Sequence, residues 1–159
     1  MTVKLIGAFA VLALLSACAN KADTAGVADG SGGTASTSGV TPGSQEDLVA
    51  NVGDRVFYAY NTSGLSSDAS ATLEKQASWL GRYPQDRVQL AGNCDERGTE
   101  EFNIALGQRR ATAARDFLVA RGVSSARIST ISYGKDRPTA VGSDESSYQQ
   151  NRNAITSVQ

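Results

Sequence analysis

Residues 87–133 read RVQLAGNCDERGTEEFNIALGQRRATAARDFLVARGVSSARISTISY. Arg87–Ala91, RVQLA, is a short apolar run and reads as a β-strand. Thr99 is placed to cap a helix, and Glu100 and Glu101 in its first turn lie favourably against the helix dipole. Arg121 and Gly122 mark where that helix ends. Arg127–Tyr133, RISTISY, reads as the next strand, with Ile128 and Ile131 as its apolar markers. Strand, helix and strand in this order make one unit of a layered α/β fold.

Working outward, Arg55–Tyr60, RVFYAY, is β-branched and aromatic, bounded by Gly53-Asp54 and Asn61-Thr62, and reads as an earlier strand. A helix is expected from Ser67 to Tyr83: Ser66 or Ser67 can cap it, Leu73, Ala77 and Leu80 recur at helical spacing, and Pro84 stops it. A polar stretch through Gly142–Asn151 leads to a last short strand at Ala154–Val158. The expected architecture is α/β, an α+β two-layer sandwich in the order βαβαββ with two helices packed on one face of a mixed sheet.

At about 100° per residue, Phe102, Leu106, Ala113, Phe117 and Ala120 form one stripe of the second helix, expected to face the sheet. Arg109 falls within that stripe and Arg110 at its edge. An arginine there can bury its stem and direct its guanidinium into a groove beside the sheet, or lie as an ordinary surface residue. Asp95, Glu96 and Arg97 follow the carboxyl end of the second strand, where ligands commonly sit in α/β sheets. Arg110 lies about 16 Å along the helix axis from Thr99, so Asp95 meets it only if the loop folds back.

Composition excludes several chemistries. The 159 residues contain no histidine, which removes the commonest general base and the commonest metal ligand together. A net charge of -1 gives no general attraction to nucleic acid, and none is expected as a partner. Cys94 with Asp95 and Glu96 matches no zinc or calcium spacing, so no metal or cofactor is expected. Nothing selects a catalytic pair among Asp95, Glu96, Glu100 and Glu101, and the alternative of a glycoside hydrolase rests on those carboxylates alone. Cys94 reads as a buried small hydrophobe.

The first residues, MTVKLIGAFAVLALLSAC, carry one lysine, an apolar run from Leu5 to Leu15, and small residues before Cys18. This is the layout of an export signal, too short to span as a permanent helix. Leu15-Ser16-Ala17-Cys18 resembles the lipobox of bacterial lipoproteins. The resemblance implies a signal peptide over residues 1–17, acylation of Cys18, and an outer-membrane address from Ala19 at the next position. Several acyl chains on one residue anchor stably where a single chain does not. Residues 18–45, rich in Ala, Gly, Ser and Thr, cannot bury enough apolar surface to offset ordering and are expected to be a tether. As a flexible coil the tether would span roughly 30 Å on average. Residues 46–159 are expected to form the folded domain.

Gly92–Ala111, GNCDERGTEEFNIALGQRRA, resembles the peptidoglycan-binding signature of the OmpA-like carboxy-terminal domain family, and ISYGKDRPTAVGSDESSYQQNR continues the likeness into its peptidoglycan-associated lipoproteins. The resemblance covers roughly Arg55 to Ala154. It implies non-catalytic binding of the peptidoglycan stem peptide through meso-diaminopimelate. It further implies a lipid-anchored link between outer membrane and cell wall, within the Tol system of cell division and envelope integrity in a Gram-negative periplasm. TolB is the implied partner, with TolA as a further candidate; a generic wall-binding lipoprotein without a Tol role is the alternative.

Carried over by motif, Asp95 accepts from the ligand ammonium, Arg110 grips its carboxylate with two hydrogen bonds, and Leu106 supports the aliphatic part. Asn93 and Arg152 complete the implied site. Asn93 stands where the family usually has histidine, Asn153 where it often has a second arginine, and Ala59 and Asn61 where aspartates are frequent. Alanine at Asp95 or at Arg110 is expected to abolish binding without disturbing the fold.

Overall fold

The computed structural model describes residues 40–159. The export signal, the Cys18 lipobox and residues 18–39 of the expected tether lie outside the described residues. In chain order the elements are α1 (Gln45–Asn51), β1 (Arg55–Phe57), α2 (Ser67–Arg82), β2 (Val88–Asn93), α3 (Glu100–Ala120), a single 3₁₀ turn at Ser125–Arg127, β3 (Ile128–Gly134), α4 (Glu145–Asn151) and β4 (Asn153–Val158). The strands form one mixed sheet in the order β1-β4-β2-β3. β2 and β3 run parallel, joined through α3, whereas β4 runs antiparallel to both β1 and β2. The α/β two-layer expectation holds, with α2 and α3 packed against the sheet and against each other.

Helix ends follow their caps. Ser66 Oγ accepts from Ala69 N at 3.1 Å and Thr99 Oγ1 from Phe102 N at 3.3 Å, so both expected caps are in place. Leu73, Ala77 and Leu80 of α2 are buried as their spacing requires, joined by Trp79 and by Leu48, Leu90 and Leu118 from other elements.

Two helices escape the sequence reading. α1 is capped by Ser44, whose hydroxyl accepts from Asp47 N. The Gln45 side chain also bridges to β4, accepting from Val158 N at 2.7 Å and donating to Thr156 O at 3.3 Å. The first described helix therefore starts at Gln45, one residue before the expected boundary at Glu46. α4 starts at Asp144, which accepts from Ser147 N, within the stretch read only as polar. Each spans about two turns, and Leu48 is the only fully buried apolar side chain that either contributes. Apolar periodicity had too little length to show itself.

The stripe expected on α3 is rotated in the structure. Asn103, Leu106, Gly107, Arg110, Ala111, Ala114 and Leu118 are its buried positions. Phe102 and Ala120 face outward, Ala113 and Phe117 are half-buried, and Arg109 is exposed. Apolar character misassigned the face because its centre is held by a glycine, an asparagine and an arginine. The backbone explains the glycine: a methyl group at Gly92 would overlap the carbonyl oxygen of Gly107, and one at Gly107 would overlap the Ser132 hydroxyl. Two glycines thus let α3 lie directly on the end of β2.

Candidate functional site

That close approach places Arg110, one turn beyond Gly107, at the carboxyl end of β2. Its guanidinium donates from Nε to Thr62 O at 2.9 Å, from Nη1 to Asn93 O at 2.8 Å and Cys94 Sγ at 3.4 Å, and from Nη2 to Ala59 O at 3.1 Å. One Nη2 N–H is left without an acceptor among the described residues. The same residue accepts at its own carbonyl from the Tyr58 hydroxyl at 2.8 Å. Arg110 is therefore wholly buried and ties the β1–α2 loop to β2 and α3. Burial pulls its guanidinium below the ordinary arginine value and pushes the Tyr58 phenol above its own.

The loop after β2 does fold back. A register shift at Gly92/Asn93 bends the end of β2, and Cys94 N donates to Gly134 O at 2.7 Å. Gly98, in the left-handed region at φ +92°, turns the chain toward α3, and Asn103 Nδ2 holds the turn by donating to Arg97 O at 2.8 Å and Thr99 O at 3.0 Å. Asp95 and Arg110 consequently line one cavity of about 90 Å³, together with Leu106, Phe102, Cys94 and Tyr60 among others. Pockets for drug-sized ligands run to about 300–1,000 Å³, so this one suits a small polar head group. A larger groove of about 790 Å³ runs along β1 and contains neither Asp95 nor Arg110.

Asp95 does not touch Arg110. Its Oδ1 accepts from Arg97 N at 3.2 Å and Arg97 Nε at 3.1 Å; its Oδ2 accepts from Arg97 Nη2 at 2.6 Å and Arg152 Nη1 at 3.2 Å. Burial pushes the carboxyl up, but the bonds from Arg97 and Arg152 outweigh it and hold it below the usual aspartate value. Arg152 is buried as well, donating also to Tyr58 O, Glu145 and Gln149. The Arg97 guanidinium sits between two rings, 4.1 Å from the Tyr60 centroid and 4.4 Å from that of Tyr148. The Tyr148 hydroxyl in turn donates to Glu96 at 2.8 Å.

The sequence-expected residues fall into two groups. Asp95, Arg110 and Leu106 line the cavity, while Asn93 and Arg152 stand behind it. Asn93 is buried and donates to Asn153 Oδ1 at 2.8 Å. Ala59 contributes through its carbonyl rather than its side chain, and Asn61 lines the cavity in the left-handed conformation at φ 54°. Tyr60, Thr62, Glu145 and Tyr148 join the site without a sequence signal, the first two from the β1–α2 loop and the last two from α4. The Arg110 side chain also satisfies three backbone carbonyls, two in the β1–α2 loop and one at the end of β2, so Arg110→Ala removes fold contacts together with the expected ligand contact. Cys94 is buried as expected, and burial raises its thiol despite the nearby Arg110 charge. Among the described residues no group of His, Cys, Asp and Glu is arranged to hold a metal ion, and no helix is long and apolar enough to cross a membrane.

A mixed sheet, two backing helices and a charged cavity after β2 define a small two-layer α/β domain, and the OmpA family model matches residues 57–152. The chain belongs to the OmpA family. It is 49% identical over 142 residues to the peptidoglycan-associated lipoprotein of Agrobacterium fabrum, covering 89% of this chain and 80% of that one. It is 43% identical over 157 residues to the protein of the same name from Pseudomonas aeruginosa, covering 92% and 93%. The crystal structure of the peptidoglycan-associated lipoprotein from Burkholderia pseudomallei superposes with a TM-score of 0.65 at 40% identity, over 67% of this chain and 90% of that one. The C-terminal domain of Helicobacter pylori MotB, at 18% identity and a TM-score of 0.63 over 67% and 84% of the two chains, shares the fold. Within the OmpA family the chain groups with the peptidoglycan-associated lipoproteins.

Proposed function

We propose that the cavity between the β2–α3 loop and the β1–α2 loop binds the diaminopimelate end of a peptidoglycan stem peptide without cleaving it. The observation that carries this reading is that Asp95 and Arg110, of opposite charge, line one small cavity without neutralising each other. A zwitterionic amino-acid end has the complementary pair of charges, its ammonium for Asp95 and its carboxylate for the remaining Nη2 N–H of Arg110. Leu106 and Phe102 offer apolar surface for the methylenes between its charged ends. The bidentate grip expected of Arg110 is reduced to a single free donor, because the other four N–H groups are taken by three backbone carbonyls and Cys94 Sγ.

Binding rather than hydrolysis is favoured by the state of the carboxylates. A glycosidase needs one carboxyl group held protonated near neutral pH. Asp95 and Glu96 are both shifted the other way, Asp95 by its arginines and Glu96 by hydrogen bonds from Ser143 and Tyr148.

The wider assignment is part of the same proposal: acylated Cys18 holds the protein in the outer membrane, residues 18–45 act as its leash, and the domain reaches the wall from the periplasmic side. TolB, with TolA as a further candidate, is the proposed protein partner. The test is co-sedimentation of the full chain with purified sacculi. Asp95→Asn is expected to lose co-sedimentation while retaining a cooperative thermal transition, and undiminished binding by this variant would remove the cavity as the site. Cys18→Ala is expected to leave the chain unacylated, and co-purification with TolB separates a Tol role from wall binding alone.

A further inference from the structure

We infer that Arg97 is a built-in occupant of the cation position in this site, and that a ligand ammonium takes Asp95 by displacing it. The inference rests on the wall-binding reading and concerns how that site is opened.

A carboxylate offers about four acceptor positions, two on each oxygen. On Asp95 each oxygen already accepts two hydrogen bonds, three in all from Arg97 and one from Arg152. An incoming ammonium therefore finds no vacant position, and one donor has to leave.

The two arginines are unequal candidates. The Arg152 side chain is 3% exposed and is fixed on three further sides by Tyr58 O, Glu145 and Gln149. Withdrawing it would strand a buried charge. The Arg97 side chain is 34% exposed, and among the described residues it meets, beyond Asp95, only the two tyrosine faces and Glu145, 3.7 Å away with 68% of its side chain exposed. It can rotate out to solvent without moving the loop, because the backbone at Arg97 is held separately by Asn103.

The vacated position suits a cation on its own terms. Tyr60 and Tyr148 present a ring face on either side, and Asp95 closes the back. A ligand whose amine is neutralised meets a carboxylate already satisfied and gains nothing there. A ligand with a free ammonium competes against an intramolecular guanidinium, which lowers its affinity and makes the charge a condition of entry.

The test is calorimetric titration of the full chain in detergent with the tetrapeptide L-Ala-D-Glu-meso-diaminopimelate-D-Ala, and with the same peptide acetylated at its diaminopimelate amine. Arg97→Ala and Arg97→Gln are expected to bind the free-amine peptide about fivefold more tightly than the wild type, the scale of a partly exposed ion pair with stacking removed as competitor. The acetylated peptide is expected to show no such gain. In the wild type, the Arg97 Nε–H resonance is expected to move toward the position of a free arginine on saturation. Weaker or unchanged binding by both variants, an equal gain with the acetylated peptide, or a static Arg97 resonance would each overturn the inference while leaving wall binding intact. Failure of the wild type to bind the free-amine peptide at all removes the proposed function, and this inference with it.

Discussion

Asn93 Nδ2 donates to Asn153 Oδ1 at 2.8 Å, joining β2 to β4 one position beyond the Gly92–Ala154 pair of their ladder. Both side chains are buried, and Asn153 donates onward to Gln150 O at 2.6 Å and Thr139 Oγ1 at 3.2 Å. The two asparagines that the family resemblance marks as departures are thus partners of one another. Each single alanine substitution leaves a buried amide short of a partner and is expected to lower stability by about 1–3 kcal/mol. The double variant is expected to fall short of the sum by about 0.5–1.5 kcal/mol, measured by urea denaturation as a double-mutant cycle. Strict additivity would show that the pair is not energetically coupled.

Gly107 offers a sharper contrast between local preference and packing. Within a helix, Gly→Ala is worth about 0.5–1 kcal/mol in favour of alanine. Here the added methyl meets the Ser132 hydroxyl and lies 2.7 Å from the carbonyl oxygen of Gly92. Gly107→Ala is expected to be net destabilising by about 1 kcal/mol, and Gly92→Ala, which meets rigid backbone, by about 3 kcal/mol. Thermal unfolding of both variants gives the order, and a stabilised Gly107→Ala would contradict the close packing.

Arg127 closes the end of α2. Its guanidinium donates to Leu80 O at 3.2 Å and Tyr83 O at 2.7 Å, carbonyls that the helix terminus leaves open, and to Asp86 O at 2.7 Å in the loop that follows. A lysine ammonium lacks the planar fork that reaches all three. Arg127→Lys is expected to cost about 1–2 kcal/mol in denaturant unfolding, and to raise hydrogen exchange at the end of α2 before exchange in β2 changes.

Asp47 governs acid stability at the start of the domain. Hydrogen bonds from Gly43 N, Asn51 and Trp79 Nε1 lower its carboxyl from 3.8 to about 2. The folded state therefore binds this proton more weakly than the unfolded chain does. Its contribution is complete above pH 4 and is lost as pH falls from about 4 to about 2. Asp47→Asn is expected to flatten the fall in melting temperature across that window relative to wild type, while the difference between the two proteins stays constant from pH 5 to 7.

How much of this was legible depended on how local the cause was. Ser66, Thr99 and Pro84 act on their own neighbours in the chain, so the limits of α2 and the start of α3 could be placed from residue chemistry. The face of α3 could not, because Gly107 and Arg110 are buried for reasons that lie on β2. α1 and α4 stayed hidden because neither is long enough to display a period. Asp95 and Arg110 were identified from motif resemblance, but spacing along a helix says nothing about whether a loop returns to it.

By itself, the sequence determined the layered α/β architecture, the two long helices with their caps, and a charged motif with no histidine to make it a conventional catalyst. Those are consequences of backbone preference, periodicity and composition, which act over a few residues. Tertiary structure alone decided that Asp95 and Arg110 share a cavity without touching, that Arg97 and Arg152 saturate the aspartate, and that Asn93 pairs with Asn153. Each of those contacts joins segments brought together by the Gly92–Gly107 approach and the bend at the end of β2, and so exists only once the sheet and α3 have packed.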